Sequence, residues 1–101
     1  MATTVHHSDA LTNTAVSIGT AGVTQIIKAI VAKCQATARV VIFRRSGGGA
    51  EFFRLNLGVG DLFAINLGDE GWEAAGGLEI LTSVAAGDVA VTVFRRPHSG
   101  T

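Results

Sequence analysis

Residues 88–96 read DVAVTVFRR, and this stretch decides the fold class. Val89, Val91 and Val93 stand at every second position, and a period of two places them on one face of a β-strand. A stretch rich in branched residues with this alternation is typical of a half-buried strand. The same alternation recurs at Phe53, Leu55 and Leu57, at Phe63, Ile65 and Leu67, and at Leu78 and Ile80.

Short glycine turns separate the apolar runs along the chain. Runs of this length, with glycine about every ten residues, are typical of an all-β sandwich or barrel. We therefore predict an all-β protein, an antiparallel β-sandwich of jelly-roll type with about 7–8 short strands. The predicted runs are 13–18, 23–33, 36–45, 51–57, 61–67, 78–83 and 88–96.

The chain has 101 residues, which is the length of one domain. Residues 1–12 (MATTVHHSDALT) are polar and small, so we expect an N-terminal arm that orders on assembly. The sandwich domain then spans 13–96. Pro97 is expected to end the last strand, which leaves 97–101 as a C-terminal tail.

One segment, Thr24–Lys33, fits two structures. Ile26, Ile27, Ile30 and Val31 form a stripe at helical spacing, but the same residues also suit a strand that is apolar on both faces. Their branched side chains and the β-rich surroundings favour the strand. The sequence alone leaves the helix open.

The charge balance argues against several classes of partner. Eight Lys and Arg stand against eight Asp and Glu, so the net charge is zero. Binding to nucleic acid or to an anionic membrane surface calls for a basic footprint, so we expect neither. The chain has no signal-peptide pattern and no apolar run of transmembrane length. A charged fraction of only 16% suits a surface that neighbours cover, as in an assembly subunit.

No catalytic, cofactor-binding or metal-ligating constellation emerges, so we predict a non-enzymatic protein without a cofactor. The histidines, His6, His7 and His98, lie near the two ends of the chain, away from candidate partners. Cys34 is alone, which predicts a small buried thiol. The loop Ser46–Gly49 lacks the pattern of a phosphate cradle and is expected to be a hairpin. Four acidic residues lie near one loop, namely Asp61, Asp69, Glu70 and Glu73. Their spacing matches no EF-hand, so we expect a solvated acidic turn, and a calcium-binding loop is the alternative.

The strongest candidates for an interface lie on two strands and one loop. The segment RVVIF is apolar on both faces, and we expect another subunit to cover Val41 and Phe43. The endings IFRR and VFRR predict either solubilising strand ends or a basic rim that contacts acidic neighbours. Trp72 is either a lid on the core or an interface anchor. The predicted interface set is Val41, Phe43, Arg44, Arg45, Trp72, Phe94, Arg95 and Arg96.

The order of these segments resembles that of a known protein family. The opening TAVSIGTAGVTQIIKAIVAK leads to a second Val-rich strand, ATARVVIF. LFAINL, DEGWEAAGG, LEILTSV and DVAVTVFRR follow. Together they resemble small β-sandwich structural proteins of tailed bacteriophages, over roughly residues 13–96. The family often has Asn after the long strand, where this chain has Lys33 and Cys34.

The resemblance implies a function. It implies a capsid decoration (cement) protein that binds the outer capsid lattice and stabilises contacts between major capsid proteins. It further implies a homotrimer made in the host cytoplasm and carried on the capsid surface of the virion. The alternatives are a tail, neck or baseplate β-sandwich and a carbohydrate- or receptor-binding β-module.

Overall fold

The protein is all-β. A computed structural model describes residues 3–35, 37–68, 70–84 and 87–97. No helix occurs in those ranges, and hence none long and apolar enough to cross a membrane. The strands of the described residues are β1 (Thr4–Leu11), β2 (Val16–Ile18), β3 (Gln25–Cys34), β4 (Arg39–Arg44), β5 (Glu51–Leu57), β6 (Leu62–Asn66), β7 (Trp72–Ala74), β8 (Leu78–Thr82) and β9 (Val89–Pro97).

Two antiparallel sheets form the sandwich. Sheet A has the order β1-β9-β3-β6, and the short β7 pairs with the same edge of β3 as β6 does, one segment further along. Sheet B has the order β2-β8-β4-β5. The edge strands are therefore β1 and β6 with β7 in sheet A, and β2 and β5 in sheet B. The all-β sandwich predicted from the sequence is confirmed.

The core lies between the sheets and follows the alternation in the sequence. Val89, Val91 and Val93 are completely buried, whereas the residues between them are half-buried on the outer face of sheet A. Val41 and Phe43 of β4 fill the opposite side of the core. Burial of such apolar side chains is the main favourable term in folding.

The segment Thr24–Lys33, for which the sequence left both a strand and a helix open, lies almost entirely in the long central strand β3. Its residues Ile30, Ala32 and Cys34 point into the core, opposite Val93, Val91 and Val89 of β9. A bulge between Ile27 and Ala29 inserts Lys28 and resets the alternation, which lets both Ile27 and Ile30 face inward. This extra residue produces the helix-like spacing of isoleucines in the sequence.

Two sequence predictions about the faces and ends of the domain are wrong. The predicted arm 1–12 contains strand β1, which pairs with β9 from Thr4 to Leu11, so the sandwich begins well before residue 13. Val41 and Phe43 are fully buried in the core and are not available to another subunit. Val40 and Ile42, the alternate residues of β4, occupy the outer face instead.

At the other end of the chain, strand β9 includes Pro97, the first residue of the predicted tail. The remainder of the predicted tail, 98–101, lies outside the described residues.

A tight turn before β7 requires glycine. Gly71 has a φ of 68°. A Cβ placed there would lie 2.7 Å from the carbonyl oxygen of Ile27 and 2.8 Å from Cγ2 of Ile26. The backbone before β7 therefore approaches β3 closely enough for Trp72 to pair with Ile27.

Candidate functional site

An apolar cleft opens along the flank where β5 of sheet B faces β6 of sheet A. It has a volume of about 340 Å³. We call it the β5–β6 cleft; its walls are Ile30, Phe53, Leu55, Phe63, Ile65, Leu67 and Trp72. Phe53 and Leu55 lie opposite the buried Phe43 and Val41, so they belong to the inner face of sheet B. The cleft is thus a part of the sandwich interior that the edges leave uncovered.

The exposure of Ile65 shows how incomplete this flank is. Ile65 pairs with Ile30 on the inner face of sheet A, and Ile30 is buried. Yet Ile65 is 40% exposed, because no residue of the described chain covers it. Phe63 and Leu67, its neighbours on the same face, are half-buried. Inward-facing apolar side chains left in water mark a surface that another molecule can cover.

Trp72 closes one end of this cleft. Its ring makes edge contacts with Phe52 at 5.0 Å and with Phe53 at 5.5 Å, and Phe53 stacks on Phe43 at 4.5 Å. This geometry is the favourable one for aromatic pairs. Of the two hypotheses for Trp72, the contacts support the lid on the core, at the rim of an open cleft.

The outer face of sheet A is the second candidate surface. Cross-strand pairs place Val5 beside Phe94 and Phe94 beside Ala29, and the next row joins Thr92 to Val31. We call these five residues the outer A face. Val5 is 52% exposed, and the other four are half-buried. A solvated antiparallel face is usually polar, so this low-charge face is unusual.

Charged and polar groups border the outer A face. Beside Thr92, His7 is hydrogen-bonded through Nδ1 to the Thr92 hydroxyl at 2.7 Å, and its Nε2 lies 2.5 Å from Asp9. At the opposite border, Lys33 is exposed. A polar rim around an apolar centre is the usual anatomy of a protein interface.

The first predicted arginine pair, Arg44 and Arg45, lies at the β4–β5 hairpin, and both side chains bind other parts of the protein. Arg44 forms an ion pair with Glu79 through Nε. Arg45 is exposed and donates a hydrogen bond from Nε to the carbonyl of Ala75 at 3.2 Å, just after β7. The Arg44 contact joins β4 to β8 within sheet B, and the Arg45 contact links the hairpin to the end of β7 in sheet A.

The second pair lies at the same end of the sandwich. Arg95 and Arg96 pair with Ile27 and Ile26 at the start of β3, and β7 pairs with these two residues on their other side. Arg95 also points its Nη1 at Oε1 of the buried Gln25, 3.4 Å away. The structure therefore brings the two arginine pairs to one end, and Arg45 is the only one of these four arginines that is exposed and not half-buried.

The carboxylate of Glu79 binds the backbone of the glycine-rich loop Ser46–Gly49. It accepts hydrogen bonds from the backbone N–H groups of Gly47 and Gly48, both at 3.1 Å, in addition to the Arg44 guanidinium. Burial raises the pKa of Glu79, but the bonds from Arg44, Gly47 and Gly48 outweigh burial and hold it below its ordinary value. The loop amides that could cradle an anion are thus occupied by the protein's own carboxylate.

The remaining sequence candidates stay dispersed. Cys34 is buried and directs its thiol at the carbonyl of Thr37, 2.9 Å away, which confirms the buried-thiol prediction. Asp61 accepts the N–H of Gly58 at 2.7 Å, so this carboxylate serves its own turn. Asp69 and His98 lie outside the described residues. Within the described ranges, no three His, Cys, Asp or Glu side chains gather in a group that could hold a metal ion.

Comparison with models of known protein families finds no match to this chain, and a search of curated proteins finds none either.

Sequence reasoning missed the β5–β6 cleft and the outer A face as surfaces, although it named Trp72 and Phe94 within them. One signal was present: Phe63, Ile65 and Leu67 alternate in a segment without a single charged side chain between Asp61 and Asp69. Uncharged strands of this kind are typical of sheet interiors. Their position at an edge depends on strand order, which alternation does not specify.

Proposed function

We propose that this chain is a non-enzymatic structural subunit that binds a larger protein assembly through its outer A face. The observation that carries the proposal is the low-charge patch around Val31 and Phe94 with its polar border. Such a patch is suited to contact with protein, because its burial removes apolar area from water without stranding a charge.

We further propose that the assembly is the outer capsid lattice of a tailed bacteriophage, where the chain acts as a decoration protein on the major capsid protein. The resemblance of segments 13–96 supports this finer proposal. Each copy needs only a modest contact in such a lattice, because repetition over many sites adds avidity. The arginine end, with Arg45 most exposed, supplies charges that set the orientation of each copy.

Both proposals are tested by binding to empty shells that are assembled from the major capsid protein of the phage that encodes this chain. The wild-type chain is expected to co-sediment with shells to a fixed number of copies per shell and to raise their disassembly temperature. The test variant is Val31→Lys, which places a charge within the outer A face. The matched control is Val40→Lys, a half-buried valine on the outer face of β4 in sheet B.

Val31→Lys is expected to weaken binding about tenfold or more, which is about 1.4 kcal/mol, while Val40→Lys binds as the wild type does. Circular dichroism establishes that both variants are folded. Equal losses in both variants would reject the outer A face as the contact. Absence of wild-type binding to shells would reject the decoration role. Binding to purified tails instead would favour the tail alternative, and a sugar-dependent change in Trp72 fluorescence would favour the carbohydrate-binding module.

A further inference from the structure

Strand β6 is an edge strand without the usual protection. Natural edge strands commonly carry a Lys, a Pro or a bulge that prevents pairing with another chain. Leu62–Asn66 contains no charged residue and no proline, and its pairing with β3 is regular over all five residues. Among the residues that the structure describes, no strand pairs with its outer edge, which is therefore an open template for one more strand.

Two hydrogen bonds define which backbone groups of β6 are free. The N–H of Leu67 donates to the carbonyl of Lys28 at 2.8 Å, and the carbonyl of Asp61 accepts from the N–H of Cys34 at 3.0 Å. Alternate residues of an antiparallel strand direct their N–H and C=O to the same side. The odd-numbered residues between these two therefore face β3, while Leu62, Ala64 and Asn66 direct their backbone groups away from the sheet.

We propose that β6 pairs with β6 of a second copy of this chain, antiparallel and around a two-fold axis at Ala64. The two A sheets become one continuous sheet, and the two β5–β6 clefts meet. The contact uses a different surface from the outer A face, so it does not depend on the proposed capsid contact.

The sequence of β6 is complementary to itself in this register. Ala64 lies opposite Ala64 of the second copy, where a larger side chain would crowd its own image. Phe63 lies opposite Ile65 of the second copy on the inner face, and an aromatic residue beside a β-branched one is a favourable cross-strand pair. Leu62 lies opposite Asn66 of the second copy, so no like charges meet anywhere along the strand.

The free backbone groups match the same register. Ala64 at the axis and Leu62 and Asn66 at the ends of the overlap direct their backbone N–H and C=O groups to the edge where no strand of the described residues pairs. Three such pairs exchange about six hydrogen bonds between the copies. The exposed side chain of Ile65 is covered at the same time, since it stands beside Phe63 of the second copy.

The opposite edge of sheet A fits this role less well. Strand β1 carries the polar pair of His7 and Asp9, whose side chains lie 2.5 Å apart. A ring of copies joined head to tail, such as a trimer, would place β1 against the uncharged β6. The self-matching register of β6 favours the two-fold contact over that ring.

The test is the solution mass of the purified chain, by light scattering and sedimentation over a concentration series. The wild type is expected to reach twice the monomer mass of 10.4 kDa. Ala64→Pro is expected to remain monomeric, because proline removes an N–H that the contact uses and that β3 does not use. Circular dichroism and Trp72 fluorescence check that this variant is folded. Val40→Lys, on the outer face of β4 in sheet B, is the control and is expected to dimerise.

A pair of charged variants tests the register itself. Residue 62 faces residue 66 of the second copy, so Leu62→Lys with Asn66→Lys places like charges together and is expected to abolish the dimer. Leu62→Glu with Asn66→Lys places opposite charges together and is expected to retain it. Both positions are exposed, which limits the effect on folding.

Three outcomes would overturn the proposal. A wild-type monomer at every concentration would reject the contact, and a trimer would indicate head-to-tail pairing of edges instead. A dimer that survives Ala64→Pro and both charged combinations would lie on another surface. None of these results bears on the shell-binding assay, so the two proposals succeed or fail separately.

Discussion

The two flanks of the sandwich differ in how completely the apolar side chains of their inner faces are buried. At the flank of β1 and β2, Leu11 and Ile18 are fully buried, and the N–H of Thr82 donates to the carbonyl of Thr12 at 2.9 Å, which ties the connection between these strands to sheet B. At the flank of β5 and β6, Ile65 is exposed and its neighbours are half-buried. Both flanks carry apolar side chains on their inner faces. Only at the flank of β1 and β2 do other residues of the described chain bury them. The second flank therefore leaves apolar area in water that the proposed contact between two β6 strands would cover.

The largest expected effect compares one isoleucine from each flank. Ile18→Ala removes a completely buried side chain and is expected to lower the free energy of unfolding by about 2–5 kcal/mol. Ile65→Ala removes a side chain at an uncovered position and is expected to change it by about 0.5 kcal/mol or less. Urea denaturation at concentrations where the chain is monomeric measures both. Similar losses in the two variants would show that the β5–β6 flank is as well packed as the other.

A second comparison sets a buried ion pair against an exposed one. Glu79, in β8 beside β2, binds Arg44 and two loop amides, so Glu79→Gln is expected to cost about 1–3 kcal/mol. Glu51, on the open edge strand β5, binds the exposed Arg54, and Glu51→Gln is expected to have no measurable effect on unfolding.

The pH dependence checks the cause of the Glu79 effect. The folded-state pKa of Glu79 lies below the unfolded value of 4.5, so its contribution is present above that pH. The contribution is lost as the pH falls through the lowered pKa. The stability difference between the wild type and Glu79→Gln should therefore shrink in acid. A difference that is constant with pH would point to packing and not to charge.

The smallest effect concerns His6, on the inner face of β1. Burial lowers its pKa from 6.5, and the positive charges of Arg95 and His7 lower it further. The fold thus favours neutral His6, so its contribution is complete above about pH 6.5 and is lost as the pH falls through the lowered pKa. Urea midpoints between about pH 7.5 and pH 5.5 should fall more for the wild type than for His6→Gln. Parallel curves would contradict a half-buried histidine that titrates in this flank.

Alternation along single strands predicted most of the sandwich. The inward-facing residues of β8 and β9, such as Ile80 and Val91, could be predicted because apolar residues alternate with a period of two wherever one face of a strand is buried. Strand β1 was missed because its sequence, TVHHSDAL, is polar. Its place in the sheet comes from backbone pairing with β9, whose partner residues lie 78 to 91 positions further along the chain.

The error about β4 has a different cause. Alternation separates Val41 and Phe43 from Val40 and Ile42, but it does not tell which set faces the core. That choice depends on the partner strands, which bring Phe43 against Phe53. The β5–β6 cleft was unpredictable for a related reason, because a cleft at an edge is a property of strand order. The short strand β7 is hidden by the glycines around it.

Strand β9 has one further consequence. It is the last strand of the described chain, yet it occupies the interior of sheet A between β1, the first strand, and β3. Thr4 pairs with Arg95, so β1 acquires its neighbour only after all the residues between them have been synthesised. Sheets assembled from such distant pairings fold in milliseconds to seconds, slower than folds made of local contacts. Until β9 has formed, β1 and β3 remain unjoined, so closure of this sheet depends on pairing between segments that are distant in the chain.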